Sequence, residues 1–225
     1  MLPIISVRIP TKNRAELLCE RALASVFYQT YRNLEIVVVG DCCDDNTYVF
    51  LNRIRSPFHI EFINLPERCY QEQELMKDPE IRWFMGPVRA TNNATELCQG
   101  EWIAHLDDDD IWTPDHIERS LDFALKGNYD FVSSSYIRKN NGKYEIIKDT
   151  DGIGGCQTWF YKTELAKRFP YNPDCWKNKT NRVSDTDVAE RIRKSGCRIG
   201  FLDEVGAYVL PRPGEEFVGL KAYKK

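Results

Sequence analysis

Gly100-Glu101-Trp102-Ile103-Ala104-His105-Leu106-Asp107-Asp108-Asp109-Asp110 is the stretch on which the fold turns. A strand of buried type, Trp102 to Leu106, runs directly into four consecutive aspartates. Adjacent carboxylates repel one another, so a folded chain keeps four together only where water, a cation or hydrogen-bond donors neutralise them. Hard divalent ions such as Mg2+ and Mn2+ take oxygen ligands and usually retain waters and substrate phosphates. An acidic loop at a strand terminus therefore suits a metal that bridges protein and diphosphate. A run of charge alone would read as a solvated turn ahead of the next helix. The strand before it and Ile111-Trp112-Thr113-Pro114 after it favour the metal.

Upstream of that stretch, short β-rich runs alternate with helical ones. Ile4 to Ile9 reads as a buried strand closed by Pro10, and Leu34 to Val39 as a second, ending at Gly40-Asp41. Between them Leu18, Ala22 and Val26 share one face of a helix running from about Ala15 to Tyr28. A weaker helix near Asp45 to Ile54 leads to a third strand, Ile60 to Leu65, and a helix near Val88 to Leu97 feeds the acidic strand. The polar span Pro66 to Gly86 shows no period, and a connection of that length is usually functional or mobile.

Downstream, Thr113 reads as an N-cap with Pro114 in the first helical turn, and Ile117, Leu121 and Leu125 recur every four residues. Phe131 to Ser134 is a further strand. Tyr136 to Lys148 reads as a hairpin turning at Asn141-Gly142. A Gly-rich turn, Gly152 to Gly155, precedes the short run Thr158 to Tyr161. The last helix spans about Asp185 to Lys194, with Val188 and Ile192 inward and Gly196 as its stop. From Tyr208 onward no period is visible. Strands separated by helices give an α/β fold with a mostly parallel sheet covered on both faces, and ligands bind such sheets beyond the strand carboxyl ends. Asp41 and Asp107 to Asp110 both fall at such ends.

Composition excludes several classes. The chain has 225 residues, 42% apolar and 29% charged, with a net charge of −3. That suits one globular domain and lacks the basic balance of a nucleic-acid binder. No apolar run approaches the length that spans a bilayer, and the N-terminus has no signal-peptide pattern. A cytoplasmic protein is expected, with peripheral association at the inner membrane face and a homodimer both allowed. The eight cysteines form no Cys-x-x-Cys pair, so free thiols are expected.

Four segments together resemble family 2 glycosyltransferases with the GT-A fold. Ser6-Val7-Arg8-Ile9-Pro10-Thr11-Lys12-Asn13-Arg14 is similar to that family's opening strand and loop, and Glu35 to Asp41 to its second strand. Gly100 to Asp110 is similar to its strand into the DxD motif. Ser184-Asp185-Thr186-Asp187, with Arg191 and Gly196, resembles its late Glu-Asp motif. The four stand in the family's order over about residues 4 to 200.

The resemblance implies a single GT-A domain over residues 1–225, with a small antiparallel portion on the acceptor side. Residues 1–110 would hold the nucleotide donor and 111–225 the acceptor. It implies a metal-dependent, inverting transferase moving a sugar from a UDP-, GDP- or dTDP-linked donor to a hydroxyl on a glycan or lipid-linked saccharide, as in polysaccharide biosynthesis. Pro10, Thr11 and Arg14 would line the nucleotide pocket, Asp41 would hydrogen-bond the base, and Arg89 would lie near base and phosphates. Asp107 would contact ribose or sugar, Asp108 would support the donor from the variable middle position, Asp110 would stand behind it, and Asp109 would ligate Mn2+ or Mg2+. Asp185 would be the catalytic base, taking the acceptor hydroxyl proton, although Asp is also a common N-cap. Arg212 is the candidate diphosphate clamp, with an ordinary surface arginine the equally open reading. Gly155 and Trp159 lie where the family places an acceptor-facing loop, and an exposed Trp can stack on a sugar, with a plain core residue the equally open reading of Trp159.

The sequence departs from the family pattern at Gly40-Asp41, where two aspartates are usual, and at Ser184, where glutamate is usual. Two other readings stand beside the transferase. A catalytically degenerate sugar-nucleotide-binding domain draws on Ser184. A nucleotidyltransferase is disfavoured because Pro10 to Arg14 contains no glycine for a phosphate loop.

Overall fold

The computed structural model describes residues 2–148 and 153–223. β1 (Ile5–Thr11), β2 (Leu34–Gly40) and β3 (His59–Asn64) lie side by side and parallel, and β4 (Trp102–His105) joins the other edge of β1, also parallel. β5 (Ile111–Trp112), β6 (Phe131–Asn140), β7 (Lys143–Ile147), β8 (Phe160–Lys162) and β9 (Ile199–Val209) complete the sheet. Among the described residues its order is β3-β2-β1-β4-β8-β6-β9-β5, with β7 on the outer part of β6. β8 is antiparallel to both β4 and β6, and β5 is antiparallel to β9. The result is a parallel half, as the alternation of strands and helices predicts, and a mixed half, which holds the antiparallel portion that the family resemblance implies.

β1 runs through Pro10 rather than stopping there. The Arg8 carbonyl accepts from Leu106 N, so alternate residues of β1 turn their backbone groups toward β4. Pro10 falls on that side beyond the last paired residue, Arg8↔His105, where a missing N–H costs no ladder bond. The hairpin turns at Asn141-Gly142, whose φ angles of 46° and 73° are those of a two-residue type I′ turn. Its first arm and the strand Phe131 to Ser134 are one strand, β6, which bulges near Ser135 against β9.

Two apolar layers sandwich the sheet. On one face Leu18, Ala22, Leu23 and Val26 meet Ile117, Leu121 and Ala124 across Val7, Ile36 and Phe160. On the other Val88, Ala94, Leu165, Val188 and Ile192 cover Val37, Ile103, Phe131 and Trp159. The first helical run is continuous over Ala15–Leu17, Leu18–Leu23 and Ala24–Phe27, and its middle part is wound as a π-helix.

Three expectations change. The span Pro66 to Gly86 holds two short helices, Tyr70–Leu75 and Pro79–Met85; Asp78 caps the second through Glu80 N and Ile81 N. The helix after the acidic run begins at His116, so Thr113 and Pro114 form the turn before it, and Leu125 is 61% exposed. Its Thr113 carbonyl instead accepts from Gln29 Nε2 and His116 N. Gly152 lies outside the described residues. All eight cysteines are free thiols.

Candidate functional site

The carboxyl ends of β1, β2 and β4 meet where the chain, having gone outward from β1 to β2 and β3, returns to β4 on the opposite edge of β1. Strand order reverses there, which opens a crevice. The loop after β1 is pinned to the loop after β2. Lys12 Nζ donates to the carbonyls of Asp41 (2.7 Å) and Cys42 (3.2 Å), and Asn13 exchanges hydrogen bonds with Asp44. Asn13 sits at φ 51°, in the left-handed region that asparagine tolerates, so the chain can turn into the helix at Ala15.

The four aspartates separate by partner. Asp107 receives His105 Nε2 (3.3 Å) on Oδ1 and the Cys156 thiol (3.6 Å) on Oδ2. Burial pushes its carboxyl up, but those hydrogen bonds hold it below the usual range. Asp108 is buried and accepts from Thr11 Oγ1 (2.8 Å) and Arg14 Nη1 (2.7 Å). It ties the two loops together and, contrary to expectation, does not present a free carboxylate to a donor. Asp109 is partly open, with Arg14 at 3.4 Å and Arg212 Nε at 3.9 Å. Burial and the neighbouring Asp108 charge push its carboxyl up to about 6. Asp110 is buried, and burial and Asp109 together raise it well above the ordinary value.

At the end of β2, Asp41 is buried between two arginines. Arg68 Nη2 donates to Oδ2 at 2.7 Å and Arg89 Nη1 reaches Oδ1 at 3.5 Å. Arg89, expected near base and phosphates, stands beside Asp41. Arg68 was not foreseen: it lies in the aperiodic span, where nothing marks one arginine above its neighbours. Pro10 is buried in the last part of β1, with Thr11 beyond it.

The chain's last described segment closes one side. Arg21, from the π-helical turn, donates to the carbonyls of Asp109 (2.9 Å), Leu210 (3.1 Å) and Pro211 (2.8 Å). Arg212 pairs with Glu215 at 2.9 Å and lies over the Tyr223 ring, whose hydroxyl accepts from Arg14 Nη2 at 3.1 Å. Arg14 and Arg212, far apart in sequence, thus stand together beside Asp109.

Opposite them, Asp185 opens the helix Ser184–Lys194. Val183 holds the N-cap position, and the Asp185 carboxylate accepts only the adjacent Thr186 N at 2.7 Å, so capping is not its role. Burial, with the Asp107 charge, raises its carboxyl above the usual range, and the Asp185 charge in turn acts on the Cys156 thiol. Cys156 therefore lies between Asp107 and Asp185. Its own thiol is held protonated by burial and by both carboxylates. Gly155 precedes it, packed so that a side chain would strike Gln157 and Tyr136.

Of its two readings, Trp159 takes the core one and not the acceptor-facing one. Only 2% of it is exposed; its indole N–H donates to Gly154 O at 2.7 Å and its ring packs on Phe131 and Tyr161. It is a core residue with no face for a sugar, since it leads from the turn Cys156–Thr158 directly into β8. Trp159→Ala should cost about 3–5 kcal/mol of stability, read from denaturant midpoints. Arg182 is likewise structural, bonded to Trp176 O and stacked over Phe84.

The donor set decides which ion fits. Asp109 and Asp110 are oxygen donors crowded enough to be raised toward protonation, and a hard divalent cation would relieve that crowding. His105, Asp107 and Cys156 also bring ligand atoms within 4.8 Å of one another. However, His105 Nδ1 accepts from Arg8 and its Nε2 faces Asp107, so both ring nitrogens are engaged. The softer trio is a poorer metal site than the aspartates.

Comparison with known proteins follows the same lines. Residues 6–72 and 81–192 match the family described as "Glycosyl transferase family 2". The UDP-Glc:alpha-D-GlcNAc-diphosphoundecaprenol beta-1,3-glucosyltransferase WfgD of Escherichia coli is 29% identical over 151 residues, 67% of this chain and 49% of that protein. An uncharacterized glycosyltransferase of Rickettsia felis is 33% identical over 145 residues, 62% of this chain and 20% of that protein. The chain thus spans half or less of the length of these relatives. Two solved structures share the fold: S. aureus TarS with UDP-GlcNAc (TM-score 0.70, 20% identity, 94% of this chain and 60% of that one), and the Pyrobaculum calidifontis mannosyltransferase PcManGT with GDP-Man and Mn2+ (TM-score 0.69, 20% identity, 95% and 59%).

Proposed function

The chain belongs to glycosyl transferase family 2, and from that premise we propose that it transfers a sugar from a nucleoside-diphosphate donor to a hydroxyl acceptor with inversion, assisted by a divalent ion. The observation that carries this reading is the position of one thiol, Cys156, which donates to Asp107 and lies near enough to Asp185 for that carboxylate's charge to act on it. It brings the carboxylate of the donor run and the carboxylate of the late helix to one point. A transferase needs the anomeric carbon and the proton acceptor that close.

Asp185 takes the acceptor hydroxyl proton as that oxygen bonds to the anomeric carbon. The bond to the diphosphate breaks, and its electron pair leaves on the diphosphate oxygen. A carboxyl raised by burial is a better proton acceptor than an ordinary surface aspartate. Arg14 and Arg212 supply positive charge on the diphosphate side, and Asp41 with Arg68 and Arg89 forms the base end. Asp109 would hold the Mn2+ or Mg2+, which when bound neutralises charge on the leaving diphosphate. UDP- and GDP-sugars are the donors to try first, given what WfgD, TarS and PcManGT are named or crystallised with. For the acceptor, a glycan or lipid-linked saccharide follows WfgD. No described helix is long and apolar enough to cross a membrane.

The test is a thermal-shift screen of nucleoside diphosphates with and without Mn2+, followed by transfer or donor-hydrolysis assays on those that bind. A metal-dependent rise in Tm with one base is expected. A protein that binds the nucleotide but releases no nucleoside diphosphate from its sugar conjugate is the degenerate binding domain, for which Ser184, buried at the start of its helix, is the argument.

Acidity sets a further expectation. The Asp109 carboxyl, raised to about 6, binds its proton more tightly folded than unfolded. Its contribution to stability is therefore present below pH ~4, the unfolded value, and is lost as pH rises to about 6, by at most ~3 kcal/mol. A bound cation must displace that proton. Mn2+ should accordingly raise Tm little at pH 5 and clearly at pH 7; equal Tm shifts at both would place the ion elsewhere.

A further inference from the structure

Arg8 sits mid-strand in β1 with 1% of its surface exposed, flanked in sequence by the buried Val7 and Ile9. Its hydrogen-bond partners are all neutral. Nε donates to His105 Nδ1 at 3.2 Å, Nη1 to Thr95 Oγ1 at 2.7 Å and Nη2 to Tyr161 Oη at 2.9 Å. The rings of Tyr161 and Tyr171 lie 5.7 and 5.5 Å from its guanidinium carbon, which recovers part of the cost of removing the charge from water. A valine or isoleucine would fill a strand position like this at no such cost. The guanidinium is where it is for what it holds.

What it holds is His105. The two residues pair directly across β1 and β4, so their side chains are neighbours on one face of the sheet. His105 is 2% exposed, and burial and the Arg8 charge both push its pKa down, so the ring is neutral. Because Nδ1 accepts from Arg8, the ring proton must be on Nε2, which faces Asp107 Oδ1 at 3.3 Å. The line therefore runs from a buried cation through a neutral ring to a carboxylate.

We propose that Arg8 and His105 are positioning residues for Asp107: the guanidinium fixes the histidine tautomer, and the imidazole N–H anchors Oδ1 so that Oδ2 is left toward Cys156 and the donor. This rests on the reading that Asp107 meets the donor's ribose or sugar. A site carboxylate has to be held within a fraction of an ångström by its supporting shell, and the loop after β4 lacks any other described hydrogen-bond donor to Oδ1.

The first test needs no donor. Long-range 15N–1H NMR of the wild-type protein at pH 7 should show His105 protonated at Nε2 and bare at Nδ1, and Asp107→Asn should shift the Nε2 proton resonance. An Nδ1-protonated ring, or an Nε2 resonance unmoved by Asp107→Asn, overturns the proposal. The second test is a double-mutant cycle read as the Kd for the nucleotide sugar selected by the thermal-shift screen, with Mn2+. His105→Phe should weaken binding roughly 10-fold in the wild-type background and less than ~2-fold in Asp107→Asn. Equal losses in both backgrounds would mean that His105 is only structural, and would overturn the proposal. If His105→Phe fails to fold because the Arg8 guanidinium is stranded, Arg8→Met/His105→Phe removes both groups and is used in its place. If no nucleotide binds the wild-type protein, it is the donor-site reading that fails, and the tautomer measurement still decides the relay.

Discussion

Asp185→Asn should bind nucleotide and metal as the parent does and yet lose transfer by ~10²–10⁴-fold, the range that one general base contributes. The substitution keeps shape and keeps an acceptor oxygen for Thr186 N, so the helix Ser184–Lys194 has no reason to shift. It removes the only feature that matters for the step, a carboxylate able to take a proton. It also removes one negative charge beside Asp107, which should leave donor affinity unchanged or slightly better. The measurement is initial rate at saturating donor alongside calorimetric Kd for the nucleoside diphosphate. Transfer retained within a few-fold would rule out Asp185 as the base. A parallel loss of nucleotide binding would mean that the residue supports the pocket.

The second large effect is at the acidic run. Asp109→Ala should abolish the metal-dependent part of nucleotide binding. A hard-ion contact is worth several kcal/mol, and at 1.4 kcal/mol per tenfold the affinity measured with Mn2+ should fall by about two orders of magnitude, to the affinity measured with chelator. The apo protein itself should be no less stable, because the carboxyl lost is one that burial and Asp108 already push up to about 6. Asp108→Ala makes the contrast. That carboxylate ties Thr11 and Arg14 to the loop, so its loss should lower Tm and loosen both loops. Unchanged Mn2+ dependence in Asp109→Ala would remove it as the metal ligand.

Much of this architecture was legible in the chain because local chemistry and global fold agree. Strands such as Leu34 to Gly40 end in Gly-Asp, and Asn141-Gly142 can scarcely be anything but a hairpin turn. Where the two levels diverge, reading failed for identifiable reasons. Leu125 keeps the four-residue period of Ile117 and Leu121, but the helix turns 100° per residue, so after eight residues the stripe has drifted off the core. Trp159 follows glycines that suggest an open loop, while its own side chain belongs to the sheet that begins one residue later. Arg68 and Cys156 are significant only through partners distant in sequence, Asp41 in one case and Asp107 with Asp185 in the other, and no local pattern encodes such meetings. Arg8 and His105 were hidden differently: both occupy positions that read as plain strand interior, and only the parallel register sets one against the other.

The grip of Arg21 on the backbone of Leu210 and Pro211 joins residues 189 and 190 positions apart. A ribosome making this chain delivers Arg21 and the acidic run well before it delivers Pro211, Arg212 or Tyr223. During that interval the parallel half of the sheet can already assemble, since β1 to β4 are complete by His105, but Arg14 and Asp109 still face water on the side that the last segment later covers. The proposed donor site is thus finished last, by the part of the described chain made last, and a nascent protein would complete its parallel half before the cluster proposed to hold a nucleotide.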